Sequence, residues 1–463
     1  MERDFRRLAD EFARHGQGHI FSGWDKLDHQ GREELLSHCS QVDFAWLEAR
    51  LAEIRNPSGR TAATLEPAPV QTLPATPEEE KAEAEAKRIG EEKLRQGKVA
   101  AFMVAGGQGS RLGHDGPKGC YPIGPVSGRS LFQWHAEQIL ARGRRHGAAI
   151  PWYIMTSEEN DKATRDFFQE HACFGLEPGN VFFFRQGMAP TLGLDGKLLL
   201  ASPSRLARHP DGHGGALQGL AASGALDDMR RRGVEIISYF QVDNPLVKIA
   251  DPRFLGWHVK SGSEISSKVL AKTSPEEKLG VACLRDGRPA VVEYIDLDPE
   301  LMNARDAGGR LRFWAGSIAI HLMDVAFAAG FGGARSLTWH ASRKKVAYFD
   351  GEGPLKPERE NAIKFETFVF DAIPLARKTL NLETRRENEF APVKNAEGVD
   401  SAASCREMML RRFNRWLESA GLPRPNGREL SLEISPLYSL DAREFAQKAA
   451  GGSVTPTDAL VLE

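Results

Sequence analysis

Residues 105–119, AGGQGSRLGHDGPKG, set four positions with little or no side chain (Ala105, Gly106, Gly107 and Gly109) beside two cations, Arg111 and Lys118. Backbone N–H groups at such positions can come close to an anion. A guanidinium and an ammonium on the same loop can draw off charge from a departing polyphosphate. Glycine at a strand–helix turn can also serve geometry alone. A dinucleotide site is the specific competitor, but its third glycine would fall at Gly113, one residue late, and no acidic partner follows about 20 residues on. The pattern G-x-x-x-x-G-K-[ST] is absent, which excludes a Walker loop. A glycine-rich loop carrying its own Arg and Lys suits a nucleoside triphosphate.

Asp243, at the end of EIISYFQVD, is the carboxylate best placed to meet such a ligand. Mg²⁺ takes one or two carboxylates and fills its shell with phosphate oxygens and water, so Asp243 is a candidate metal ligand. The same VDN segment also reads as a turn with Asp as a local acceptor.

Bringing these residues together requires loops that leave one side of a sheet. From Val99, short apolar runs alternate with helical stretches: VAAFMV, then a helix from Leu131; WYIMT, then a helix from Glu158; VFFF; a helix over 216–232, then EIISYFQVD. This alternation predicts an α/β fold with a largely parallel, doubly wound, Rossmann-like sheet. Ligands of such sheets bind beyond the carboxyl ends of the strands, here after Val104, Phe184 and Val242. The segments SSKVLAK, GVACLRD, PAVVEY and FWAGSIAIHL extend that sheet in mixed sense. Upstream, Phe5, Leu8 and Phe12 share one helical face, as do Leu47, Leu51 and Ile54. Residues 56–77, rich in Pro, Ala and Thr, read as a linker. Thr76, Pro77 and Glu79 then form a capping-box helix start. The expected division is a helical region over 1–95, a catalytic domain over 96–395 and a small C-terminal region over 396–463.

Composition bounds the partners. The 463 residues hold 61 Lys plus Arg against 63 Asp plus Glu, a net charge of −2 that argues against nucleic acid. The five cysteines are dispersed and form no C-x-x-C pair, which points to a reducing, cytoplasmic setting without disulfides or zinc. No run approaches membrane-spanning length.

The loop GGQGSRLGHDGPKG resembles the G-G-x-G-[ST]-R-L-G…P-K-G signature of the UTP-dependent uridylyltransferases, and is most similar to that of the eukaryotic-type UDP-N-acetylglucosamine pyrophosphorylases. The resemblance continues in order through PWYIMTS, FFRQGMAP, PDGHGG, VDNPLVKIADPRF, VVEY, AIKFETFVFD, FAPVKNA and EISPL, covering roughly residues 95–440. It implies a GT-A-like nucleotidyltransferase fold with UTP and a sugar 1-phosphate as substrates, in a monomer or homodimer. It implies that Gln186 and the Gly212 backbone hold uracil, whose edge an amide can read. A glutamine after a strand is otherwise an ordinary surface residue. It implies that Asp243 holds Mg²⁺, that Lys364 lies towards UTP and that Lys394 lies towards the sugar phosphate. Lone lysines are otherwise solvated, and composition alone assigns these two no role. Phe368 and Phe370 are expected in the core. Gly280 and Glu293 are implied at the sugar, where an acid can accept from hydroxyls.

Two sugar-reading motifs depart from the family. P-D-G-N-G-G has His213 in place of Asn, and N-A-G-N is here Trp314-Ala315-Gly316-Ser317. A histidine there resembles the G-H-G-D of UDP-glucose pyrophosphorylases. The expected acceptor is N-acetylglucosamine 1-phosphate, with glucose, galactose or a broad range as alternatives. The competing classes are an NAD-dependent oxidoreductase and a binding protein without turnover.

Overall fold

A computed structural model describes residues 1–55, 63–422, 430–451 and 459–463. Contacts group the chain into two units that cut across the three consecutive regions expected from the sequence. One unit joins Met1–Ala63, Gln186–Ala216 and Ser336–Val369; the other joins Thr64–Arg185, Leu217–Arg335 and Phe370–Glu463.

The larger unit is built on the apolar run Val99–Val104. This buried strand pairs parallel with Ile236–Gln241 on one side and Trp152–Thr156 on the other, with Val181–Arg185 beyond. The parallel expectation holds for these strands. Next to Ile236–Gln241 the sense reverses: Ala315–Asp324 runs antiparallel to it and to Ile265–Ala271. Val281–Arg285 and Arg288–Val292 form a hairpin, and Thr379–Glu383 returns parallel to Ile265–Ala271. The result is a ten-stranded mixed sheet among the described residues. The long helix Ala402–Ser419 turns Cys405, Met409, Phe413 and Leu417 into the same core.

Local signals explain several elements. Thr76 caps the helix Pro77–Arg95: its hydroxyl accepts from Glu79 N–H at 3.3 Å, and Glu79 Oε2 accepts from Thr76 N–H at 3.1 Å. That helix crosses Pro252–Ser261 at glycines. A Cβ at Gly90 would overlap the Pro252 carbonyl, and one at Gly256 the Ala86 carbonyl.

Some expectations shift. The helix expected from Glu158 begins at Asp161, because Asn160 Oδ1 accepts from Ser157 N–H at 2.8 Å and closes a turn first. The helix over 216–232 is two, Gly215–Ala222 and Ala225–Arg231, parted where Gly224 takes φ +79°. The strand EIISYFQVD stops at Gln241, leaving Asp243 beyond it. Of the 56–77 linker, residues 56–62 lie outside the described residues, and Leu65–Pro67 is a strand antiparallel to Val281–Arg285. Residues 423–429 and 452–458 of the C-terminal region also lie outside the described residues.

In the smaller unit, Leu8 and Phe12 of Glu2–Arg14 and Leu47 of Phe44–Arg55 pack with Leu192, Leu206, Ile363 and Phe365. The strand Ala362–Thr367 pairs with Trp339–Lys344 and Leu192–Gly193, and Met188–Pro190 pairs with Arg208–Pro210. No helix among the described residues is long and apolar enough to cross a membrane.

Candidate active site

In the larger unit the loop after Val104 is closed by its own backbone. Gly109 N–H donates to Gly116 O at 2.9 Å and Lys118 N–H to Gly107 O at 3.0 Å. Buried Asn160, at the next strand end, donates through Nδ2 to Ala105 O at 2.9 Å and Gly107 O at 3.3 Å. Those carbonyls are thereby turned inward. Arg111 sits exposed on the short turn Ser110–Leu112 and makes no ion pair among the described residues.

Lys118 folds back from this loop to place Nζ 3.6 Å from Asp243 Oδ2. Asp243 is 8% exposed. The helix Leu131–His146 fixes its segment: His135 Nε2 donates to Val242 O at 3.0 Å and Gln138 Nε2 to Pro245 O at 3.2 Å. Burial pushes the His135 imidazole down to about 4, so it is neutral. The segment that carries Lys394 reaches the same neighbourhood, since the preceding Val393 N–H donates to Asp243 O at 2.9 Å.

Three of the expected sugar-binding residues converge. Ser317 N–H donates to Gly280 O at 2.7 Å. From where a Cβ would stand on Gly280, Glu293 Oε1 lies 3.5 Å away. Beside Ser317, Trp314 carries the Arg310 guanidinium 3.5 Å above its ring centroid.

Behind these residues lies a buried charge network. Lys268 Nζ donates to Asp251 Oδ2 at 2.7 Å and to Glu389 Oε2, and Lys248 Nζ stands 3.6 Å from Glu389 Oε1. The ammonium neighbours hold both carboxyls below their usual range despite burial. Asp251 Oδ1 also caps the helix Pro252–Ser261, accepting from Arg253 N–H at 3.2 Å.

The smaller unit holds the remaining expected residues. Gln186 Nε2 donates to Gly212 O at 2.6 Å. Gly212 takes φ +84°, and a Cβ there would overlap the Thr367 carbonyl. His213 Nδ1 accepts from Val369 N–H at 3.1 Å. Phe368, expected in the core, is half-buried, with the rings of His213 and His340 at 5.3 and 4.7 Å. Phe370, which falls in the larger unit, is also half-buried and not in the core. Lys364 lies on the same strand as Thr367, half-buried.

Asp211 lies beneath the Gln186–Gly212 pair. A Cβ at Gly187 or Gly215 would overlap its carboxyl, and Oδ1 has no hydrogen-bond partner among the described residues. Burial pushes it up to about 7. His209 anchors the strand before it, with Nε2 accepting from Phe365 N–H at 2.8 Å and Nδ1 2.9 Å from Thr191 Oγ1. Asn160, His135 and Asp211 escaped the sequence reading. The PDGHGG motif contained Asp211, but nothing local marks Asn160 or His135.

A cationic loop turned onto a carboxylate, with both on loops from adjacent parallel strands, is the working arrangement of a nucleotidyltransferase. The family model described as UTP–glucose-1-phosphate uridylyltransferase matches residues 59–451, and the chain belongs to that family. It is 39% identical over 435 residues to UDP-N-acetylhexosamine pyrophosphorylase-like protein 1 of Xenopus tropicalis, covering 90% of this chain and 84% of that one. It is 35% identical over 474 residues to the UDP-N-acetylglucosamine pyrophosphorylase of Saccharomyces cerevisiae, covering 98% of each. The crystal structure of the uridine diphosphate N-acetylglucosamine pyrophosphorylase from Trypanosoma brucei matches with TM-score 0.84 and 25% identity, over 99% and 98% of the two chains.

Proposed function

We propose that the chain transfers a uridylyl group from UTP to N-acetylglucosamine 1-phosphate, giving UDP-N-acetylglucosamine and pyrophosphate. The observation that carries this reading is Lys118 Nζ held 3.6 Å from a nearly buried Asp243 carboxylate, above the carboxyl ends of parallel strands. An oxygen of the sugar phosphate attacks the α-phosphorus of UTP, and the bond to the β-phosphate bridging oxygen breaks with its electrons on pyrophosphate. The nucleophile is already an anion, so the chain needs no general base. Its task is to position two polyanions and offset charge.

Arg111 and Lys118 take up the charge of the leaving pyrophosphate, and Lys394 seats the acceptor phosphate. Gln186 and the Gly212 backbone read uracil, Lys364 faces the nucleotide phosphates, and His213, Gly280, Glu293 and Ser317 line the sugar. Asp243 suits Mg²⁺ as a lone protein carboxylate, because that ion completes its shell with phosphate oxygens and water. No group of three His, Cys, Asp or Glu able to hold a metal exists among the described residues. When bound, Mg²⁺ supplies neutralisation of phosphate charge. The five cysteines are free, which supports a reducing, cytoplasmic location.

The test is pyrophosphate release from UTP with a panel of sugar 1-phosphates. The N-acetylglucosamine compound is expected to give the highest kcat/KM. Equal turnover of glucose or galactose 1-phosphate would replace it with the broad-specificity reading, which Ser317 beside Gly280 favours because its side chain is shorter than asparagine. No calorimetric uptake of UTP with Mg²⁺ would overturn both.

A further inference from the structure

Asp243 and Lys394 belong to segments far apart in sequence, and one side chain laces the two together. Asn244 is 5% exposed. Its Nδ2 donates to Glu389 O at 2.7 Å and its Oδ1 accepts from Ala391 N–H at 3.1 Å. One step further along, Val393 N–H donates to Asp243 O at 2.9 Å. The bonded positions 389, 391 and 393 alternate as in a strand ladder, with the Asn244 amide standing in for a missing backbone. Only an amide side chain offers a donor and an acceptor side by side in this way.

The laced segment is anchored at both ends. The Glu389 carboxylate is held by Lys268 and by Thr384 Oγ1 at 2.7 Å. Beyond the lacing, Lys394 N–H donates to Asp400 O at 2.7 Å, and Lys394 Nζ lies 5.8 Å from the Phe390 ring centroid. Cutting the lacing would free the span that carries Lys394 while leaving the Lys118 loop and its Asn160 anchor untouched.

We propose that Asn244 is a positioning residue that fixes Lys394 relative to Asp243, and so couples binding of the sugar phosphate to the nucleotide end of the reaction. The inference rests on the assignment of Lys394 to the acceptor phosphate. It is tested in the full chain with Asn244→Ala, Lys394→Ala and the double variant, by steady-state kinetics in sugar 1-phosphate and calorimetry with UTP. Asn244→Ala is expected to lower kcat/KM for the sugar phosphate at least about tenfold while UTP affinity stays within about threefold. In the Lys394→Ala background the same change is expected to cost less than about threefold more, because both act through one group.

Fully multiplicative losses, or an equal fall in UTP affinity, would mark Asn244 as a general structural residue and overturn the proposal. If Lys394→Ala alone left kcat/KM for the sugar phosphate unchanged, the acceptor assignment itself would fall, a separate and recognisable result. Should Asn244→Ala not fold, Asn244→Asp keeps the shape and the acceptor but loses the donor to Glu389. The same cycle, run with that variant, decides the matter.

Discussion

The segments after Arg208–Pro210 in the smaller unit and after Ile236–Gln241 in the larger one are fastened alike and furnished differently. Each is held by a buried imidazole that burial drives down to about 4, His209 in the first and His135 in the second. Around Asp211, however, the neighbours are glycines and the Gln186 amide, and the carboxyl makes no ion pair among the described residues. Around Asp243 and Glu389 each carboxylate faces an ammonium, from Lys118 and from Lys268 and Lys248. A neutral edge such as uracil can be read by an amide and backbone groups, whose desolvation is affordable one hydrogen bond at a time. A polyanion needs cations, and cations kept partly out of water need internal carboxylates to hold them. The two regions thus differ in kind: one offers an amide and backbone groups suited to a neutral edge, the other offers ammonium groups balanced by internal carboxylates.

The comparison breaks most visibly at Lys268. Lys268→Ala removes the ammonium that two buried carboxylates share, leaving Lys248 as the nearest remaining cation to Glu389, and is expected to cost about 3–5 kcal/mol in denaturant unfolding; a loss under about 1 kcal/mol would mean the charged region does not depend on internal pairing. Lys118→Ala should lower kcat about 10²-fold or more, and near-normal turnover would remove it from the reaction.

Titration separates the two regions next. The histidines lie below their ordinary 6.5 in the folded chain, so the stability they allow is present above that pH and is lost as pH falls towards about 4. Asp211 runs the other way: raised from 3.8 to about 7, it contributes most at low pH and that contribution is lost as pH rises through this window. Asp211→Asn should therefore gain Tm over the parent at pH 8, about 1–2 kcal/mol in net stability, and little at pH 4. A gain that does not grow with pH would show that the carboxyl is not the strained group. The smallest effect is expected for Gln186→Leu, a roughly tenfold weaker UTP Kd with kcat unchanged at saturation, measured by calorimetry and kinetics.

What could be read in advance was what is local. The Thr76–Glu79 capping box, the apolar strand at Val99 and the glycine and charge spacing of 105–119 each declare themselves within a few residues. The Asp286-Gly287 turn, with φ of +50° and +75°, closes a hairpin that the sequence reading left as two separate sheet segments, although an Asp-Gly pair is a local turn signal. The antiparallel half of the sheet was harder, because buried strands of either sense read as the same apolar run. The residues that hold the site in place were not legible at all. Asn160, His135 and Asn244 act on carbonyls and amides of distant segments, and a lone Asn or His carries no sign of its partner. Gln186, Lys364 and Lys394 entered through resemblance alone.

Asp251 serves two masters with one carboxyl group, its Oδ1 on the helix start and its Oδ2 on Lys268. Asparagine would satisfy the helix and abandon the ammonium; glutamate would reach the ammonium and forfeit the cap. Neither single replacement is neutral, so positions 251 and 268 are expected to drift only in concert, and a lineage that loses one should have rebuilt the other.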